Sequence, residues 1–117
     1  MNPVLGTITP DPVAEILGTG FNRFSTPAGV EGLAKEFGDR LDILAVASRV
    51  QGQGLFRSFI LNAQLHYQTI YVWEVWNEVV EQALQRYGFV RARERDRDSG
   101  ETLQGWRWDA RIEFRRV

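Results

Sequence analysis

With 117 residues, 44% hydrophobic and 25% charged, the chain is long enough to bury one core and too short for two, and its composition argues against disorder. A formal net charge of −1 argues against a generally basic nucleic-acid binder, although Lys35 is the single lysine and the other thirteen of the fourteen basic residues are arginine. The absence of cysteine and the single histidine, His66, exclude disulfides, a cysteine nucleophile and cysteine- or histidine-rich metal sites. No apolar run approaches the roughly 20 residues that span a bilayer, and no basic and apolar leader opens the chain, so a cytoplasmic protein is expected.

In chain order, the first forty residues carry Pro3, Pro10, Pro12 and Pro27 beside several glycines, which argues against long strands there. Asp11 to Gly18 reads as a short helical turn, opened by Asp11 with Pro12 at the first helical position and closed by glycine. Ala28 to Phe37 reads as a second short helix stopped by Gly38. Leu41 to Ala47 is an apolar run with the length of a buried strand, followed by Gly52 and Gly54 in a turn. From Leu55 to Leu65, Phe56, Phe59, Ile60 and Ala63 recur at helical spacing. Thr69 to Val75 is rich in β-branched and aromatic residues, and alternation sets Ile70, Val72 and Glu74 against Tyr71, Trp73 and Val75.

Asn77 then caps a helix with Glu78 and Glu81 in its first turns, Arg86 in its last and Gly88 just past its end. Phe89 to Arg95 alternates as a strand, Asp96 to Gly100 makes a charged turn, and a last strand sets Trp106, Trp108, Ala110, Ile112 and Phe114 against Arg107, Asp109, Arg111, Glu113 and Arg115. Strand, glycine turn, helix, strand, helix and a closing hairpin together predict an α/β sheet with a parallel central crossover. Glycine in the turn after Leu41–Ala47 lets bare N–H groups approach an anion, and the helix start that follows favours negative charge. Arg91, Arg93, Arg95 and Arg97 alternate along one strand face, interleaved with Glu94, Asp96 and Asp98, as a solvated or self-paired face does.

The stretch Leu44-Ala45-Val46-Ala47-Ser48-Arg49-Val50-Gln51-Gly52-Gln53-Gly54-Leu55 resembles the coenzyme A pyrophosphate motif of the GCN5-related N-acetyltransferases. Asn77, Val80, Ala83, Leu84, Arg86, Gly88 and Phe89 are similar to that family's second coenzyme motif, an asparagine-led helix ending in Gly-Phe and preceded by a strand like Tyr71 to Val75. The two motifs cover roughly residues 41 to 90 in the family's order. The resemblance implies a mixed sheet with a parallel central crossover, flanking helices and a C-terminal antiparallel hairpin. Residues 41–117 are then an acyltransferase-like core and residues 1–40 an irregular arm with short helices, a reduced N-terminal half within one domain.

By the same resemblance, acetyl-CoA is the implied cofactor and an amine the acceptor. Leu44, Ala45 and Val46 would pair with the pantetheine arm through their backbone. Gln51, Gly52, Gln53, Gly54, Leu55, Phe56 and Arg57 would hold the pyrophosphate, and Asn77 would contact the coenzyme. Direct transfer from thioester to amine needs a base, for which Glu74 is the candidate, and often an acid for the departing thiolate. Phe56 stands where the family has glycine or alanine. Leu84 stands where many relatives have the tyrosine acid, which leaves Tyr87, three residues on, as the candidate. The alternative is a non-catalytic domain on the same scaffold that binds a partner protein or its own copies through tryptophan-bearing strands, as a structural component of a viral or other assembly does, with a virion location. Neither reading involves a membrane or nucleic acid.

Overall fold

In the structure, a computed structural model, the described residues are 1–48, 54–95 and 100–110. They run β1 (Thr7–Pro10), α1 (Pro12–Leu17), β2 (Asn22–Ser25), β3 (Val30–Phe37), β4 (Arg40–Ser48), α2 (Leu55–His66), β5 (Thr69–Trp73), α3 (Glu78–Arg86), β6 (Val90–Arg95) and β7 (Thr102–Asp109). The strands form one seven-stranded sheet in the order β1-β2-β3-β4-β5-β7-β6. Neighbours are antiparallel except β4 and β5, which are parallel, with α2 in the connection between them.

The N-terminal forty residues differ from the expectation of an irregular arm with short helices. Asp11 does open α1, its carboxylate accepting from the Ala14 N–H at 3.0 Å, and Gly18 closes it at φ 68°. Ala28 to Phe37, expected as a helix, instead contains the eight-residue β3, paired along its length with β4. The prolines do not oppose this. Pro3 and Pro27 lie outside the strands, Pro12 opens α1, and Pro10 ends the edge strand β1. Tertiary pairing, with Val30 and Ala34 buried against the core, outweighs local propensity.

Alternation along the central strands divides the molecule into two sides. Leu41 and Ile43 of β4 and Ile70 and Val72 of β5 join Phe59, Ile60 and Ala63 of α2 and Leu84 of α3 in one buried cluster. Phe24 of β2 stacks on Phe59 with ring centroids 5.3 Å apart, which ties the N-terminal strands to the same core. On the opposite side, Asp42 is buried and takes a two-pronged contact from Arg40 at 2.6 and 2.9 Å, plus the Trp73 indole N–H at 2.9 Å. Trp73 stacks on Tyr71, and the Arg40 guanidinium lies 4.1 Å from the centre of the Tyr71 ring. Paired charge and stacked rings thus bury this side of β4 and β5.

The structure ends β5 at Trp73, so Glu74 does not continue the alternation expected through Val75. Asn77 caps α3 as expected, while Ile112 and Phe114 and the turn residues 96–99 lie outside the described residues.

Candidate coenzyme cleft and acceptor groove

The centre of the sheet is where two parallel strands come apart. Pairing runs from Arg40 opposite Thr69 to Ile43 opposite Val72 and then stops, although β4 continues to Ser48. Its cause is in the register with β3. Ile43 faces Ala34 and Ala45 faces Leu33, which leaves Leu44 as an extra residue on β4. Such a bulge bends the strand and raises its twist. Beyond it, Ala45 to Ser48 pair with β3 alone, so their other backbone edge has no strand partner among the described residues. Leu44, Ala45 and Val46 therefore lie where β4 departs from β5, with Val46 packed against the core.

Gln51, Gly52 and Gln53 of the expected anion turn lie outside the described residues. Gly54 is the residue before α2 and adopts φ 66°, and a Cβ built on it would meet nothing within 4 Å. Among the described residues no side chain caps this helix start; the Ser58 N–H is the first to return to the Gly54 carbonyl, at 3.0 Å. The N–H groups of Leu55, Phe56 and Arg57 thus have no intrahelical acceptor, and the dipole end adds positive potential. Phe56 is half-buried and packs against the hydrophobic core, while Arg57 is exposed.

Asn77 is exposed at the start of α3, and its Oδ1 accepts from the N–H groups of Val79 at 2.9 Å and Val80 at 3.3 Å. Three residues earlier, Glu74 has φ 53°, the one positive value among described residues other than glycine. Such a backbone costs of order 1 kcal/mol and is retained where the surroundings fix it. Here the Glu74 N–H donates to the Gln104 carbonyl of β7 at 2.8 Å. The half-buried Glu74 lines a groove of about 360 Å³ shared with Trp76, Glu81, Arg91, Arg93 and Trp106. Arg91 is 3.4 Å from the Glu81 carboxylate and 5.0 Å from the Trp106 ring centre. The sequence pattern put Arg91 and Arg93 on one strand face but could not show that this face meets α3.

Tyr87 is not brought together with Glu74. It closes α3 at the end away from Asn77, packs against the core, and its carbonyl accepts from Gln64 Nε2 at 2.9 Å. Nine helical residues separate the two ends by about 13 Å. Leu84 is fully buried.

No family model matches this chain, and no curated protein matches it. Among solved structures, an acetyltransferase from Bacillus subtilis in complex with CoA is similar, with a TM-score of 0.54 and 14% identity over 84% of this chain and 82% of that one. At that identity the likeness is one of fold. The chain has a mixed α/β fold like that of this acetyltransferase.

Proposed function

We propose that this protein is an acyl-CoA-dependent N-acyltransferase, acetyl-CoA being the donor. The observation that carries the reading is the parting of β4 from β5 after Ile43 and Val72, together with a helix start at Gly54 whose N–H groups no described side chain caps. The residues fit the coenzyme. The free edge of Leu44 to Val46 suits the amide-bearing pantetheine arm, and the open amides of Leu55, Phe56 and Arg57 suit a pyrophosphate. Packing of Phe56 on the core keeps its side chain engaged there, consistent with an open cradle.

Acetyl-CoA supplies a thioester whose carbonyl carbon takes the acceptor nitrogen as the C–S bond breaks, its electron pair leaving on sulfur. Glu74 is the base: its carboxylate has no ion-pair partner among the described residues, and it follows the end of β5, next to where β4 and β5 part. Of the three ammonium protons, one passes to Glu74 and on to water, one reaches the departing sulfur through solvent, and one stays on the amide. Tyr87 is too far along α3 to share this work directly and serves there in core packing.

The non-catalytic alternative needs surface tryptophans, and no observation favours its viral or assembly forms. Trp73 and Trp106 are buried, Trp108 packs against the core, and only Trp76 among the four is exposed, where it lines the Glu74 groove. No helix among the described residues is long and apolar enough to cross a membrane.

Calorimetric titration with acetyl-CoA tests the reading. Micromolar binding is expected, weakened about a hundredfold or more in Gly54→Glu, which sets a carboxylate at the helix start. Gly54→Ala shares the backbone strain without the charge and should weaken binding less. No heat at millimolar ligand, or equal losses in both variants, would overturn it.

A further inference from the structure

The groove beside the cleft holds two opposite charges that do not meet. Among the described residues neither Glu74 nor Arg93 has an ion-pair partner, yet both line the same groove. Their separation is fixed by the sheet. Glu74 donates its N–H to Gln104, and Gln104 stands opposite Arg93, so the three residues form one row across the end of β5, β7 and β6. Two inter-strand spacings put roughly 10 Å between the backbones of Glu74 and Arg93. The other arginine lining this groove is already committed, since Arg91 is held by Glu81 and lies over Trp106. What remains is a carboxylate at one end, a guanidinium at the other, and apolar walls from Trp76 and Trp106.

We propose that this groove binds an acceptor carrying both an ammonium and a carboxylate, an α-amino acid by class, with Glu74 receiving the ammonium and Arg93 the carboxylate. The assignment rests on the acyltransferase reading above. It extends that reading by naming Arg93 as the residue that selects the acceptor. A guanidinium suits the task because its planar fork meets a carboxylate in two parallel hydrogen bonds. The ammonium is thereby held at Glu74, next to the point where β4 leaves β5. The exposed edge of Trp76 is left to contact the amino-acid side chain.

The test separates binding from transfer. The indole N–H signal of Trp76, assigned with Trp76→Phe, is followed by NMR during titration of the intact protein with leucine and, separately, leucinamide. Leucine should shift the signal saturably and bind about tenfold or more tightly than leucinamide, which lacks the carboxylate. Arg93→Gln should bring leucine down to the level of leucinamide, and Arg93→Lys should restore part of the difference. Equal binding of the two compounds, no response to leucine, or an unchanged preference in Arg93→Gln would overturn the proposal. Thiol release from acetyl-CoA is measured in parallel. Selective leucine binding without thiol release supports the groove and sinks the transfer reading, whereas thiol release with no preference for the carboxylate does the reverse.

Discussion

Asn77 shows how one side chain serves structure and leaves room for chemistry. Its Oδ1 is spent on the N–H groups of Val79 and Val80, but the amide nitrogen at the other end of the carboxamide makes no hydrogen bond among the described residues. The two ends can be separated experimentally. Asn77→Asp keeps the capping oxygen and adds a charge favourable at a helix start, so stability in urea should stay within about 0.5 kcal/mol of the parent. It loses the donor and faces an anionic coenzyme, so acetyl-CoA affinity should fall about tenfold. Equal losses of stability and affinity would mean that Asn77 is a cap alone. The cap itself is legible in the sequence, because asparagine stands directly before a first turn carrying Glu78 and Glu81. Glu74 was legible only as a carboxylate in an apolar run. Its left-handed backbone depends on Gln104, thirty residues away, and no local pattern carries that information.

Among the elements, β4 decides where the site is, and Gly32 decides how β4 can run. A Cβ on Gly32 would stand 1.9 Å from the Ala45 carbonyl oxygen and 2.8 Å from the Phe24 ring. Backbone cannot retreat from such a contact cheaply, so the close approach of β3 next to the bulge requires glycine. Gly32→Ala should cost about 2 kcal/mol or more in urea unfolding and should weaken acetyl-CoA binding in the folded fraction, because the bulge must shift. Unchanged affinity would separate the bulge from the coenzyme site. The strand, both long helices and the order of the second half followed from periodicity and caps. The bulge did not, since an extra residue is defined only by the register of its partner. For the same reason the sequence of β3 does not show a strand: its pattern of burial comes from pairing with β4, and its own residues, with Gly32 and Gly38 near charged residues, carry no clear period.

At the scale of the whole molecule, two tyrosines tie stability to alkaline pH. Burial, then the Glu36 carboxylate to which its hydroxyl is bonded, pushes the Tyr67 phenol well above its ordinary range. Burial, then Glu94, raises Tyr71 in the same direction. Below about pH 10 both phenols are protonated whether the chain is folded or unfolded, and their contribution to stability is fully present. Above it the unfolded chain ionises first, binds fewer protons than the native state, and stability falls. The urea midpoint should therefore hold steady between about pH 7 and 9, then decline, and the decline should be shallower in Tyr67→Phe. A midpoint independent of pH up to about 11 would remove burial as the cause. Tyr67 follows α2 and Glu36 belongs to β3, so this contact also binds the N-terminal strands to the helical side of the sheet.

The two strands at the margins of that sheet have a further effect, on what the protein does in company. β1 is four residues long and ends in Pro10, which has no N–H to offer an incoming strand, and β6, whose only strand neighbour among the described residues is β7, carries Arg91, Arg93 and Arg95. A second copy approaching either side meets a missing donor or a row of like charge. The sheet is in this way kept from growing by end-to-end addition of chains, and the protein should remain dispersed at concentrations where an uncharged margin of the same length would seed fibres.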